Sequence, residues 1–139
     1  MIRQGETVFV DSGAWIALAL SLDPLHARAR EQWDLLRGAG AKLRTSIPIV
    51  IETFTFLDRN ANRDVALAWK DSVTRPGFLD ILPCEPRDLQ RSWDYFRRAD
   101  LHKLSAVDAT SFAIMKRARI RLAYTFDYHF AVVGFRMVG

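Results

Sequence analysis

The chain has 139 residues, of which 50% are hydrophobic and 26% are charged, so its composition excludes disordered and low-complexity classes, and residues 1–139 are predicted to form a single domain. Its formal net charge of +4 is compatible with a polyanionic partner but does not require one. The single cysteine cannot form an internal disulfide, and the longest apolar run, 13–20, is well below the roughly 20 residues of a membrane span; we therefore expect a cytoplasmic protein without a membrane partner.

Short apolar runs alternate with helical patterns along the whole chain. Thr7 to Val10 is too short for a helix and lacks polar alternation, as expected for a strand covered on both faces. Ser12, Ser46 and Ser105 each precede a helical pattern and are predicted to cap it. In chain order we predict a strand at 7–10, helices at 13–21 and 25–37, a strand at 41–45, helices at 47–59 and from 62, a strand at 78–82, helices from 86 and from 106, and strands at 122–126 and 135–138.

This alternation predicts the fold class. Consecutive parallel strands need helical crossovers, so we expect an α/β fold, a three-layer sandwich with a mostly parallel central sheet flanked by helices. Ligands of such sheets bind beyond the carboxyl ends of the strands. Residues that follow strands are therefore the first candidates for a functional site.

The helix that starts at Pro86 has Leu89, Trp93 and Phe96 at helical spacing, with arginines among its polar positions. This pattern predicts an apolar face and a basic, exposed face. The chain's four tryptophans all fall in helical patterns with apolar neighbours, which favours core or subunit contacts over stacking on nucleic-acid bases.

Four acidic residues are candidates for one site. Asp11 and Asp127 directly follow predicted strands, and the carboxyl ends of parallel strands meet at the same edge of a sheet. Asp108 is three residues after Ser105, near a helix start, and Glu52 is six residues after Ser46 in a segment that is apolar almost all round. Clustered carboxylates repel unless a cation lies between them, and oxygen ligands suit Mg²⁺ or Mn²⁺. The sequence therefore predicts a shared metal site.

Structural roles are open alternatives for the same four acids. Asp108 has the spacing of a capping box with Ser105, and Asp11 is placed to cap the helix that follows it. Glu52 would satisfy its charge equally well by pairing with an arginine, and Asp127 would serve as an ordinary turn residue. The three histidines are scattered without zinc-ligand spacing, so surface or interface positions are expected for them.

A basic cluster, Lys116, Arg117, Arg119 and Arg121, lies in sequence between Asp108 and Asp127. Cations at a helix C-terminus are favoured by the helix dipole, which is a sufficient structural reason for the cluster. If the two acids line a cleft, however, the cluster would flank it and bind a phosphate backbone. We therefore include these four residues as predicted substrate contacts.

Four ordered segments of the chain, VFVDSGAWIAL, SIPIVIETFTFLDR, KLSAVDATSFAIMK and LAYTFDYHFAVVGF, resemble the PIN-domain family, and especially its VapC-type toxins. The resemblance implies that Asp11, Glu52, Asp108 and Asp127 are catalytic acids that bind Mg²⁺ or Mn²⁺. It also implies that Thr125, two positions before the last acid in the T-x-D-x-x-F ending, supports the metal site. Asp100 is near a position that is often polar in relatives and is a further candidate.

The function that this resemblance implies is metal-dependent endoribonuclease cleavage of RNA by the toxin of a type II toxin-antitoxin pair. A homodimer and an antitoxin protein that covers the cleft are the expected partners. The alternative is a non-catalytic PIN-like module that binds RNA or a protein. A nuclease that acts on DNA or in RNA maturation is a third interpretation.

Overall fold

The computed structural model describes all residues, 1–139. Five strands and seven α-helices follow one another, with one 3-10 helix at Trp93–Arg97. Their bounds are β1 Thr7–Val10, α1 Ser12–Ala19, α2 His26–Gly38, β2 Lys42–Ser46, α3 Ile47–Asn60, α4 Arg63–Val73, β3 Asp80–Leu82, α5 Pro86–Ser92, α6 Ala106–Ala118, β4 Leu122–Tyr124, α7 His129–Val132 and β5 Arg136–Met137. None of the helices has both the length and the apolarity needed to cross a bilayer.

The strands form one sheet in the order β3-β2-β1-β4-β5, and every pairing is parallel. The central strand β1 has Val8, Phe9 and Val10 at 0% exposure, so successive side chains on opposite faces are both covered. Helices therefore pack on both faces of the sheet, as a parallel sheet requires. The predicted α/β sandwich with a parallel sheet is confirmed.

Local signals at several helix starts act as the sequence predicts. The Ser46 hydroxyl accepts a hydrogen bond from the amide of Ile49, and the Ser105 hydroxyl accepts one from the amide of Asp108. Asn62 caps α4 through its side-chain oxygen, which accepts from the amide of Val65. These bonds satisfy amide donors that a helix leaves unpaired in its first turn.

The α1 cap differs from the prediction. Asp11, and not Ser12, is the N-cap residue, and its side chain makes no capping hydrogen bond. Ser12 is the first helical residue, and its hydroxyl points away from the helix towards α3. Both polar side chains are therefore released from local capping and face other elements.

The α5 segment buries the face opposite to the one predicted. Leu89, Trp93 and Phe96 are 44%, 47% and 46% exposed, while Asp88 and Ser92 are both 1% exposed. Arg117 on α6 explains the reversal, because its Nε donates to Asp88 Oδ1 at 2.8 Å and compensates the buried charge. Since that partner is 29 residues away, helical spacing alone could not identify the buried face.

Three of the tryptophans meet in one aromatic cluster. The Trp15 ring lies 6.2 Å from the Trp33 ring and 6.0 Å from the Trp69 ring, and the Phe78 ring completes the group. This cluster joins α1, α2 and α4, with Trp15 and Trp69 in the core and the partly buried Trp33 packed against it, as predicted for these tryptophans. The fourth, Trp93, lies instead on the exposed face of the 3-10 helix.

Candidate metal centre

Asp11 lies where the ends of β1 and β4 meet. Its amide donates to the carbonyl of Tyr124 at 3.0 Å, which extends the parallel pairing by one step. Its side chain is turned inward and the residue is only 4% exposed. Oδ2 accepts a hydrogen bond from Thr125 Oγ1 at 2.8 Å, whereas Oδ1 is buried without any partner. An unpaired carboxylate oxygen in this position needs a ligand that the protein itself does not supply.

Thr125 connects two of the acids through one hydroxyl group. Besides donating to Asp11, its Oγ1 accepts a hydrogen bond from the amide of Asp127 at 3.0 Å. Asp127 Oδ1 in turn accepts from the amide of His129 at 2.9 Å, which forms a local turn that leads into α7. The turn residue predicted at Asp127 is therefore present, and its carboxylate is also held against the Asp11 site.

Glu52 enters the site from α3, which packs on α1. Glu52 Oε1 accepts a hydrogen bond from Ser12 Oγ at 2.6 Å, and no arginine forms an ion pair with Glu52. The α3 helix is not buried all round, because Ile47 and Ile51 are 47% and 61% exposed. The alternative of an arginine ion pair at Glu52 is thus wrong, and a serine hydroxyl orients its carboxylate instead.

Asp108 enters from the first turn of α6. A carboxylate oxygen of Asp108, one of Asp127 and a ring nitrogen of His129 all lie within 4.8 Å of one another. Asp108 also interacts electrostatically with Asp11, and Asp11 with Glu52 and Asp127. The structure therefore brings all four predicted acids to the carboxyl edge of β1 and β4.

The electrostatics of this edge disfavour a full set of negative charges. Burial raises the pKa of Asp11 to about 6, and repulsion from Glu52 and Asp127 adds to the effect, against the lowering by the Thr125 hydrogen bond. Burial likewise raises the pKa of Asp108 to about 8, with further contributions from Asp11 and Asp127. Both shifts have the same physical origin, since neighbouring carboxylates are removed from water without a compensating cation.

The donor set fits a hard divalent cation. No lysine or arginine forms an ion pair with any of the four acids. Oxygen donors from several elements converge, and the buried Asp11 Oδ1 lacks a partner. Carboxylate ligands of this kind suit Mg²⁺ and Mn²⁺. The four acids are thus arranged to hold such an ion.

Comparison with known proteins agrees with this geometry. Residues 8–136 match the family model of the PIN domain. The chain belongs to the PIN-domain family. It is 33% identical over 129 residues to the 23S rRNA-specific endonuclease VapC20 from two Mycobacterium tuberculosis strains, and the match covers 92% of this chain and 95% of the relative. The predicted family membership is confirmed.

Solved PIN-domain structures share the fold. The crystal structure of M. tuberculosis VapC20, a sarcin-ricin loop cleaving toxin, matches with a TM-score of 0.82 at 30% identity, over 92% of this chain and 95% of that one. The DNA-bound VapBC of Salmonella typhimurium matches with a TM-score of 0.65 at 14% identity, over 95% of this chain and 96% of that one. At that identity the second comparison shows the fold alone.

The predicted basic cluster of this PIN domain lies away from the edge of the sheet where Asp11, Glu52, Asp108 and Asp127 meet, which we call the acidic edge. Asp108 is in the first turn of α6, whereas Lys116 and Arg117 are in its last turn, and the 13-residue helix is about 20 Å long. Arg119 and Arg121 lie between α6 and the start of β4, which is the end of the sheet opposite to Asp11. The prediction that these four residues flank the acids is therefore wrong, because the helix separates them in space.

Two members of the cluster have structural partners instead. Lys116 Nζ lies 5.3 Å from the centre of the Tyr95 ring. Arg117 pairs with Asp88 and with Glu85, at 2.8 and 3.3 Å, and also donates to the carbonyl of Pro83. Asp100, the further candidate, forms an exposed ion pair with Arg98 and takes no part in the acidic edge.

We expect Arg117→Met to destabilise the PIN domain. The variant leaves the buried Asp88 carboxylate without its cation, which costs about 3 kcal/mol in comparable pairs. Urea unfolding measures the loss. Arg121→Met is the matched control, because Arg121 is exposed and has no ion pair, so its stability should be unchanged. An Arg117 variant with normal stability but weakened RNA binding would contradict the structural role.

We expect Thr125→Val to weaken metal binding by about 10- to 100-fold, as is typical when a group that orients a metal ligand is lost. Valine keeps the shape but leaves Asp11 Oδ2 and the Asp127 amide without their shared partner. Titration calorimetry with Mn²⁺ measures the change. Thr53→Val is the matched control, since the Thr53 hydroxyl is buried and already unpaired, and its loss should leave metal affinity unchanged. Equal Mn²⁺ affinity in both variants would exclude the role assigned to Thr125.

His129 was missed as a site residue by the sequence analysis. Its helix α7 has four residues, too few for a helical hydrophobic pattern. The available signal was its position two residues after a candidate acid, which places both side chains in one turn.

Proposed function

We propose that this chain is a metal-dependent endoribonuclease that hydrolyses RNA phosphodiester bonds with Mg²⁺ or Mn²⁺. The observation that supports this most directly is the buried, unpaired Oδ1 of Asp11, in a carboxylate that interacts electrostatically with those of Glu52, Asp108 and Asp127. The VapC20 relative, an RNA endonuclease, matches over nearly the whole chain and gives independent support. We further propose that residues 1–139 act as one domain.

Asp11, Glu52, Asp108 and Asp127 are the residues that would hold the ion. The chemistry that such an ion supplies when bound is activation of a water nucleophile and neutralisation of charge on the phosphate. The Thr125 hydroxyl holds Asp11 and Asp127 next to each other through its two hydrogen bonds, and the Ser12 hydroxyl orients the carboxylate of Glu52. The overall reaction would add water across one P–O bond of the RNA chain, leaving the hydroxyl group on phosphorus and the proton on the leaving oxygen. The protein thus contributes a fixed set of oxygens at the scissile phosphate.

The biological role that we propose is that of the toxin in a type II toxin-antitoxin pair in the cytoplasm. Because VapC20 is a 23S rRNA-specific endonuclease, 23S rRNA is the first substrate to test for this chain. VapBC complexes are among the proteins that share its fold. A cognate antitoxin and a homodimer are accordingly the partners that we propose.

The direct test uses purified protein and intact 23S rRNA, with cleavage positions mapped by primer extension. We expect cleavage in Mn²⁺ or Mg²⁺ and none in EDTA. Binding without cleavage in either metal would contradict the proposal and favour the alternative of a non-catalytic RNA-binding module. Cleavage that persists in EDTA would reject the metal mechanism. Parallel reactions with double-stranded DNA separate ribonuclease from deoxyribonuclease activity.

A further inference from the structure

A ring nitrogen lies next to the carboxylates of the acidic edge. His129 Nδ1 is 3.1 Å from Asp127 Oδ1, and the histidine side chain is 12% exposed. Although this distance suits a hydrogen bond, Nδ1 is buried and forms none, because the ring is not directed at the oxygen. The imidazole is therefore held beside the carboxylate with its nitrogen aimed elsewhere.

The backbone fixes this arrangement. The amide of His129 donates to the same Asp127 oxygen at 2.9 Å, so this oxygen has a hydrogen-bond donor from the main chain and does not require one from the imidazole. The next residue, Phe130, is fully buried and packs its ring 4.9 Å from that of Phe112 on α6. Since α6 also contains Asp108, the aromatic contact ties α7 to the helix that supplies another acid. The imidazole has a defined position relative to both carboxylates.

The spacing of these donors is that of ligands around one ion. Neighbouring ligands of an octahedral ion with bonds of about 2.1 Å are separated by about 3.0 Å, and opposite ligands by about 4.2 Å. The Nδ1 to Oδ1 distance of 3.1 Å matches the shorter separation. Donors from Asp108, Asp127 and His129 all lie within 4.8 Å of one another. Asp11 Oδ1 is also buried without a partner, and the Asp11 carboxylate interacts electrostatically with that of Asp127.

We propose that His129 Nδ1 is a metal ligand of this centre, which therefore prefers Mn²⁺ to Mg²⁺. This inference rests on the proposed metal-dependent function and specifies the chemistry of its ion. Imidazole nitrogen binds first-row transition metals well, whereas Mg²⁺ is bound almost entirely by oxygen. A mixed nitrogen and oxygen donor set selects between the two ions, which four carboxylates alone would not do.

The experiment measures metal binding directly in the purified chain. Pulsed electron paramagnetic resonance of the Mn²⁺-loaded protein should show strong coupling to one ¹⁴N nucleus, and His129→Asn should abolish it. By titration calorimetry, His129→Asn should weaken Mn²⁺ binding by about tenfold or more and leave Mg²⁺ binding nearly unchanged. His102→Asn is the matched control, because His102 is exposed and does not belong to the group of donors formed by Asp108, Asp127 and His129. The His102 variant should change neither the ¹⁴N coupling nor the affinity for Mn²⁺ or Mg²⁺.

Two results would overturn the inference. One is Mn²⁺ bound to the wild-type protein without ¹⁴N coupling, and the other is an equal loss of Mn²⁺ and Mg²⁺ affinity in His129→Asn, which would indicate that His129 only positions Asp127. Neither result would affect the proposed ribonuclease, which requires the ion but not this ligand. Failure of the wild-type chain to bind any divalent ion would instead contradict the proposed function itself. Circular dichroism of each variant confirms that it is folded.

Discussion

Replacing Asp11 with asparagine should abolish RNA cleavage and, at the same time, raise the melting temperature of the metal-free protein. Loss of a group that only orients a metal ligand costs about 10- to 100-fold, so loss of a central ligand should cost at least about 100-fold in activity. The stability gain has a separate cause. A pKa raised from 3.8 to about 6 means that the ionised Asp11 destabilises the folded state by on the order of 3 kcal/mol. Asparagine retains the shape without that charge.

The two effects are measured by primer-extension cleavage assays and by thermal unfolding in EDTA. One kcal/mol corresponds to roughly 4 °C for a chain of this size, so the shift should be several degrees. Added Mn²⁺ should stabilise the wild-type protein but not the variant. Asp34→Asn is the matched control, because Asp34 is exposed and should show neither change. An Asp11 variant that is less stable than the wild type in EDTA would mean that the charge is already compensated without metal.

Metal-free protein should lose stability as the pH rises from about 5 to about 8. Asp11 and Asp108 have folded pKa values of about 6 and about 8, above their ordinary value of 3.8. Between these values the folded chain binds more protons than the unfolded chain. Its stability is therefore complete below the unfolded pKa and declines as the pH rises through the folded values. Melting temperatures in EDTA across this range measure the decline.

Bound metal should oppose this loss of stability at high pH, because the ion binds deprotonated carboxylates. We expect the stabilisation by Mn²⁺ to be larger at pH 8 than at pH 5. The double variant Asp11→Asn, Asp108→Asn removes both titrating groups and should flatten the pH profile of the metal-free protein. An unchanged slope in the double variant would assign the pH dependence to groups outside the acidic edge.

Much of the fold could be predicted from local signals. Ser46, Asn62 and Ser105 start helices through side-chain hydrogen bonds that depend only on residues three positions ahead. The continuous apolar run of β1 identified a strand covered on both faces. The buried face of α5 could not be predicted in this way, because Arg117 compensates Asp88 across 29 residues of sequence. A polar residue with a distant partner is indistinguishable in sequence from an exposed one.

The acidic residues of the site could be predicted from the sequence, but the hydroxyl groups that orient them could not. Asp11 and Asp127 follow strands and were found by the rule that parallel strands end at one edge. The hydroxyl partners of the acids were not, since Ser12 has the sequence position of a helix cap but donates to Glu52, 40 residues away. Thr125 was expected only from the family resemblance. The basic cluster is close in sequence to Asp108 and Asp127 but not close in space, because the length of α6 separates it from both acids.

The aromatic cluster of Trp15, Trp33 and Trp69 gives this protein an internal optical reporter. Trp15 follows Asp11 by one helical turn, and its amide donates to the Asp11 carbonyl at 3.2 Å. The acidic edge is thus connected within a single helical turn to an indole that packs against two others. Tryptophan emission from unlabelled protein should therefore respond to occupancy of the centre, with a Trp93→Phe background to remove the most exposed of the four tryptophans.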